Sequence, residues 1–366
     1  MRTTSRKFRP RFCPNPKCEF HGVDQDDWPF ERYGFFERKA APRRIQRFRC
    51  QACNTTFSSQ TFDTTYYLKR PKLQRPLFNA LVSCAALRQA SRALGCAHST
   101  MQRQASRLGR HALLFEWKDG LREPKEELVL DGLRTFEFSQ YWPFDLNLLV
   151  GADSYYVYGF APSQLRRSGR MTAFQKKKRG RLEERHGKPS RRATEEAVKS
   201  LLVHFLPPSC QELTLRSDEH GDYPRAVRAC GRSVTHVRIS SKRRRDPSNP
   251  LFAINLLDRL VRHSSSDHKR ETIAFAKRVQ GAMERVAVLV AWRNHVKRRS
   301  ERKSQSLTPS QRIGRFAERL TVKDLLARRL FPTRVELPAP AREVYWRTLT
   351  TRQIPNGTTH ALKRAA

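Results

Sequence analysis

No apolar run in the 366 residues approaches the ~20 that a membrane-spanning helix needs, which argues against an integral membrane protein. No hydrophobic segment stands between Met1 and Cys13 either, so no secretory signal is expected and the cytoplasm is the default compartment. Acidic residues are scarce: 34 Asp and Glu against 73 Lys and Arg give a net charge of +39. The excess is spread through a chain that is still 38% hydrophobic, so it is not a basic tail on a neutral domain. Such a protein is expected to sit on a polyanion, because neutralising phosphates releases their counterions. The length suffices for a large core plus one or two small modules. In a reducing compartment the eight cysteines should be thiols, and paired ones are expected to bind metal rather than to form disulfides.

Two such pairs lie in residues 1–70: Cys13 with Cys18, and Cys50 with Cys53. Short spacings let two thiolates point at one ion from a tight turn, and two turns complete a closed site of four thiolates, expected to hold structural zinc. Strand-like runs, Tyr33–Lys39 and Ile45–Cys50, separate the pairs, and Phe57 and Phe62 are placed beneath the metal. His21, three residues beyond Cys18, is set second as an alternative ligand. A module this small usually needs such a staple.

Residues 71–119 read as helical. Leu77–Leu87 has helical apolar spacing, Ala90 sits mid-helix, Gly95 marks a turn, and Ser99–Thr100 is the expected cap of a second, basic helix. That pattern fits a helix-turn-helix as well as an ordinary helical hairpin. On the first reading Gln102, Arg103, Gln104 and Arg107 face the major groove or its phosphates.

From 120 to 300 the pattern predicts β-β-β-α-β-α-β. Leu128–Phe138, Leu146–Ala152 and Tyr155–Ala161 form an antiparallel meander, and Thr194–Phe205 is a helix. Gln211–Asp218 is a fourth strand and Ser233–Ser240 a fifth. Between the meander and the helix, 166–192 reads as a basic loop. Its Lys176, Lys177, Lys178 and Arg179 are either a solvated surface or a clamp on DNA phosphates. Asp131 interrupts the apolar first strand, and a carboxylate is almost never buried without compensation. Asp218 closes the fourth strand. If the two strands are neighbours, both carboxylates meet near the middle of the sheet and require cations between them.

In this order, the motifs resemble a DDE-type insertion-sequence transposase with an N-terminal zinc ribbon and helix-turn-helix. The residues that carry the resemblance are the four cysteines, Leu128-Val-Leu-Asp131, Arg216-Ser-Asp-Glu-His220, Asn249–Arg262 and His268–Phe275. It implies an α/β (α+β) fold, an RNase H-like mixed sheet flanked by helices, preceded by the ribbon and the helical DNA-binding module. It also implies a prokaryotic, nucleoid-associated protein that cuts and joins double-stranded DNA with Mg²⁺ or Mn²⁺, as a homodimer or larger on transposon ends and target. The aspartates act as metal ligands, without a covalent enzyme intermediate. The family's third acid, usually Glu, lies on the helix after the fifth strand, but no Glu occurs between Ser240 and Arg270. Asp258 is the first choice, Glu271 the second and Glu284 the third. Ser264–Asp267 is expected to break and re-cap that helix, moving Glu271 away from Asp131.

Residues 301–366 read as a basic extension: a linker to Ser310, helical spacing over Arg312–Leu330, and no legible chemistry. Two other functions share these features: a non-catalytic DNA-binding protein (a domesticated transposase or repressor), and a structure-specific nuclease.

Overall fold

The computed structural model describes residues 8–22, 24, 27–39, 41–120, 123–206, 208, 212–269, 272–349 and 351. The first sheet is antiparallel, with β1 (Phe30–Glu37), β2 (Arg44–Cys50) and β3 (Thr56–Ser58) side by side in chain order. Its core is small and aromatic. Trp28 and Phe48 both stack on Phe57, at 5.8 and 5.6 Å between ring centres, with Phe30 and Phe62 at the edges. Phe57 and Phe62 lie where the sequence puts them, while Trp28 was not anticipated.

Three helices follow: α1 (Gln74–Val82), α2 (Leu87–Ala93) and α3 (His98–Trp117). Between α2 and α3 the chain turns at Gly95, whose φ of +58° is costly for any residue with a Cβ. Ala90, 2% exposed, is the small residue expected at the close contact. Ser99–Thr100 is not the cap: α3 starts one turn earlier, with Ala97 at its N-cap and no side-chain cap. From Gln104 onward α3 is buried, packed on α8 (Val279–His295), and Gly109 lies directly against the backbone of Glu284.

The second sheet has five strands in the order β6-β5-β4-β7-β8. The expected meander is β4 (Leu128–Phe136), β5 (Pro143–Gly151) and β6 (Val157–Gln164), all antiparallel. β7 (Leu213–Ser217) and β8 (Val234–Arg238) run parallel to β4 on its other side. The crossovers are α5 (Ala193–Phe205) and α6 (Asp222–Ala229). Val198, Leu201, Leu202 and Phe205 are the buried apolar side of α5. After β8 comes α7 (Phe252–Ser264), which packs on β4 and β5. One continuous apolar core joins this α/β layer to α1–α3 and to the C-terminal segment, whereas the small sheet has a core of its own.

Three stretches differ from the sequence reading. The basic loop contains a helix, α4 (Ala173–His186), capped by Thr172 in a reciprocal pair with Gln175 and ended by Gly187 at φ +78°. None of its residues is buried, so helical propensity and caps form it without an apolar face. After α7 the described chain stays non-helical up to α8, so Ser264–Asp267 breaks the helix without re-capping it; Asp267 instead makes a buried ion pair with Arg285 at 2.8 Å. Arg312–Leu330 is not one helix. It holds the end of a helical turn, α9 (Pro309–Arg312), then α10 (Val322–Leu325), and α11 (Ala339–Trp346) follows.

This last segment is a strap across the molecule. His111 shares a 2.8 Å hydrogen bond with the carbonyl of Leu325, and Arg315 donates to Glu116 at 2.9 Å. Further on, Phe331 meets Phe12 and Phe62 at 5.2 and 5.7 Å, and Thr333 bonds His21 at 2.7 Å. Among the described residues no helix is long and apolar enough to cross a membrane.

Candidate functional site

The four cysteines form one cluster: Cys13, Cys18, Cys50 and Cys53 bring their sulfurs all within 4.8 Å of one another. Cys13 Sγ lies 3.6 Å from Cys53 Sγ, and Cys18 Sγ 3.8 Å from Cys50 Sγ. A tetrahedral ion with metal–sulfur bonds of about 2.3 Å would separate them by about 3.8 Å. The cluster can therefore hold a metal ion and is compatible with structural zinc. Burial pushes the Cys13 and Cys18 thiols up. Burial acts the same way on Cys53, but hydrogen bonds to Thr55 and Asn15 outweigh it and bring that thiol down to about 6. His21 is not a ligand. Its Nδ1 is 2.7 Å from the carbonyl of Cys13 and its Nε2 is taken by Thr333.

The second group stands on the central sheet. β4 and β7 are parallel neighbours whose last paired residues are Leu130 and Ser217. The residue that follows each is an aspartate, Asp131 within β4 and Asp218 just past the end of β7, so the register sets the two carboxylates side by side. Asp131 Oδ1 accepts from Gly132 N at 2.7 Å, and Asp218 Oδ1 from His220 N at 2.9 Å. Asp258 comes from α7. Its Oδ1 is buried without any hydrogen-bond partner, an unusual and costly state for a carboxylate oxygen. Burial and the charge of Asp131 push the Asp258 carboxyl up to about 8. Burial, and then Asp218, push Asp131 up to about 6. Each carboxylate thus raises the proton affinity of the next, as crowded like charges must.

Successive strand residues point to opposite faces, so Gly132 lies on the reverse side from Asp131. There a Cβ on Gly132 would come within 3.3–3.4 Å of Asp145, the Tyr223 hydroxyl and Asn147. Tyr223, from α6, is buried among charges: burial first, then Asp131, Asp218, Asp145 and Asp258, raise its pKa far above the usual phenol range. Asp145 is bidentate with Arg134, at 3.0 and 3.2 Å. Asn147 donates to Ala161 O and Ser163 Oγ, and its Oδ1 is buried without a partner. These residues escaped the sequence reading, although two polar residues two apart in Phe144-Asp-Leu-Asn-Leu148 are a sign of a polar spot on an otherwise apolar strand.

The other acids fall elsewhere. Glu271 lies outside the described residues. Glu284 is buried on α8, bonded to Gln280 at 3.0 Å and paired with Arg347 at 3.4 Å, away from the aspartates. Asp131, Asp218 and Asp258 do not close on one point: among the described residues only the cysteines form a group whose ligand atoms all lie within 4.8 Å of one another.

The expected DNA-contacting residues divide. Gln102 and Arg103 are exposed on the first turns of α3, but Gln104 and Arg107 are buried, at 5% and 7% exposure, and cannot face a groove of DNA. Arg107 donates to Thr64 O at 3.1 Å, because α3 turns that side toward the chain that links it to the small sheet. On α4, Lys176, Lys177 and Lys178 are exposed, whereas Arg179 donates to Arg167 O at 2.9 Å and pairs with Glu183. Sequence reasoning missed the exposed run Lys242-Arg-Arg-Arg245 after β8, whose last member acts electrostatically on both Asp131 and Asp258. Four consecutive cations just beyond the fifth strand were signal enough to find it.

In comparisons with known proteins, no family model matches the chain and no curated protein matches it significantly.

Proposed function

We propose that this chain is a DDE-type transposase: an RNase H-like domain carrying Asp131, Asp218 and Asp258, preceded by a zinc ribbon and a helix-turn-helix. The observation that carries the reading is the parallel pairing of β4 and β7, which brings Asp131 and Asp218 side by side, with Asp258 of α7 close enough to Asp131 for the two charges to act on each other, in a sheet ordered β6-β5-β4-β7-β8 and a chain of net charge +39. That strand order, with an antiparallel meander followed by two parallel strands, supports an RNase H-like assignment. Asp258 takes the position of the third acid.

The donor set fits hard divalent cations. It is all oxygen, it includes a buried carboxylate oxygen with no partner, and without cations two of the three acids gain proton affinity. Asp131, Asp218 and Asp258 would hold Mg²⁺ or Mn²⁺ as ligands. When bound, such ions neutralise the carboxylates, polarise the scissile phosphate and lower the pKa of the attacking hydroxyl. The rest is the work of the chain itself. Lys242–Arg245 hold DNA phosphates near the acids, and the exposed lysines of α4 add to the cationic surface. Tyr223 is buried, and the neighbouring aspartates raise its affinity for its proton. The cysteine cluster would carry structural zinc, since four protein ligands leave no position for substrate.

A second reading, a DNA-binding protein without catalysis, is favoured by one feature: the three aspartates do not close around a single point. Nicking and strand joining on DNA bearing the element's ends, with Mg²⁺ or Mn²⁺, separates the two. The enzyme reading expects activity from the wild type and none from Asp131→Ala or Asp218→Ala. No cleavage by the wild type, or equal cleavage by all three, overturns it, and cuts without joined products favour a nuclease.

A further inference from the structure

Between the small sheet and the C-terminal strap runs an open groove of about 1250 Å³. Among the described residues the charged ones that line it are all cations, Lys39, Arg47 and Lys69 among them, and none is Asp or Glu. Three large rings face it from three separate parts of the chain. Phe36 on β1 is 39% exposed, Tyr67 in the loop before α1 is 57% exposed, and Trp346 at the end of α11 is 37% exposed.

Tyr67 is held there at a cost. Its φ is +59°, in the left-handed region that a bulky side chain rarely adopts. The Tyr67 ring meets the Tyr66 ring edge-on at 4.4 Å between centres, which steadies it while more than half of it stays exposed. Beside the groove the same alternation continues over the small sheet, with Arg47 on the Tyr33 ring at 5.0 Å and Arg44 on the Phe35 ring at 4.1 Å.

We propose that this groove binds a single strand of nucleic acid, with bases stacked on Phe36, Tyr67 and Trp346 and phosphates held by Lys39, Arg47 and Lys69. Exposed π faces interleaved with cations are what an unpaired strand requires, because every base offers a face for stacking. A duplex hides its base faces in its own stack and would leave the three rings idle. An acidic peptide would use the cations but would not account for the rings. The proposal stands apart from the aspartates, and binding can be measured without divalent cations, so its failure is distinguishable from failure of the catalytic reading.

The test is fluorescence anisotropy of a labelled oligothymidylate of about 12 nucleotides with the full-length, zinc-loaded protein in Mg²⁺-free buffer. Tyr67→Gly removes the ring and relieves the left-handed backbone together, so loss of binding cannot be put down to misfolding if its thermal unfolding matches the wild type. Tyr67→Gly and Trp346→Ala should each weaken binding about five-fold or more, while a duplex of similar length keeps its affinity. Trp346→Phe, which retains a π face, should recover most of the loss. Affinity within two-fold of the wild type in both ring-deleted variants overturns the proposal. So does an equal loss on duplex, or displacement of the oligonucleotide by polyglutamate at matched charge.

Discussion

Asp258 stands at odds with the stability of the metal-free protein, and replacing it with Asn should show by how much. In the unfolded chain its carboxyl titrates near 3.8, and in the fold near 8. A folded pKa raised above the unfolded one gives a stabilising contribution that is complete below about pH 4 and is lost as pH rises through about 8. At pH 7 the group has crossed about three pH units of that window, which costs the fold about 4 kcal/mol at 1.36 kcal/mol per unit. Asp258→Asn keeps the shape, cannot ionise, and removes this term. For the roughly 300 residues outside the small sheet, unfolding as one unit, 4 kcal/mol corresponds to about 6 °C in Tm. The assay is thermal unfolding of zinc-loaded wild type and variant, followed by circular dichroism between pH 4 and 8 without Mg²⁺. The two should converge near pH 4 and separate steadily above it, with the variant the more stable. Added Mg²⁺ should then raise the Tm of the wild type more than that of the variant, since a ligand of the folded state stabilises it by mass action. Parallel pH profiles, or a variant that melts at or below the wild type at pH 7, would refute the reasoning.

Further outcomes follow from other parts of the molecule. The purified protein is expected to carry one zinc, measured by mass spectrometry of the metal. Cys50→Ser should lose it and unfold the small sheet, seen in near-UV signals from Trp28, while the separate main core stays folded. Gly109→Val drives a side chain into the backbone of Glu284 where α3 crosses α8, and should cost about 3 kcal/mol in denaturant unfolding. Glu116 is buried, which opposes its charge, yet His295, Arg315 and Tyr156 outweigh the burial and hold it well below the usual carboxylate range. Its contribution is therefore present above the unfolded value of about 4.5 and is lost as pH falls; Glu116→Gln should melt lower than the wild type at pH 7 and approach it at pH 3.

The sequence was most informative where local pattern and chemistry agreed. The cysteine spacing led directly to the cluster. The apolar run Leu128–Phe138 and the two runs after it led to the meander, and Asp131 and Asp218 were legible because each breaks or closes an apolar run. Asp258 could be placed by its helix and by the lack of a Glu nearby. What remained hidden depends on long-range packing. Gln104 and Arg107 look like a recognition face because polar residues usually face solvent, but α3 lies against α8 and the neighbouring loop and buries them. Tyr223, Asp145 and Asn147 reach their places only once β5 pairs with β4 and α6 returns over the sheet. The helix α4 was read as a loop because it has no apolar stripe, although Thr172, Gln175 and Gly187 mark its two ends. Phe331 and Thr333 gave no sign of their partners, Phe12 and His21, some 310 residues earlier.

The strap that joins those distant residues gives synthesis of the protein a direction in time. The cysteine module is complete by residue 62 and can fold before the central sheet and the strap are made. Its docking partners, Phe331 and Thr333, leave the ribosome about 270 residues later. Until then the module is a bead on a growing tether, and the groove with Trp346 on its wall exists only after α11 has closed over it. A product cut short before residue 330 would keep the bead and most of the central sheet, yet leave the bead without its anchor and the groove without one side.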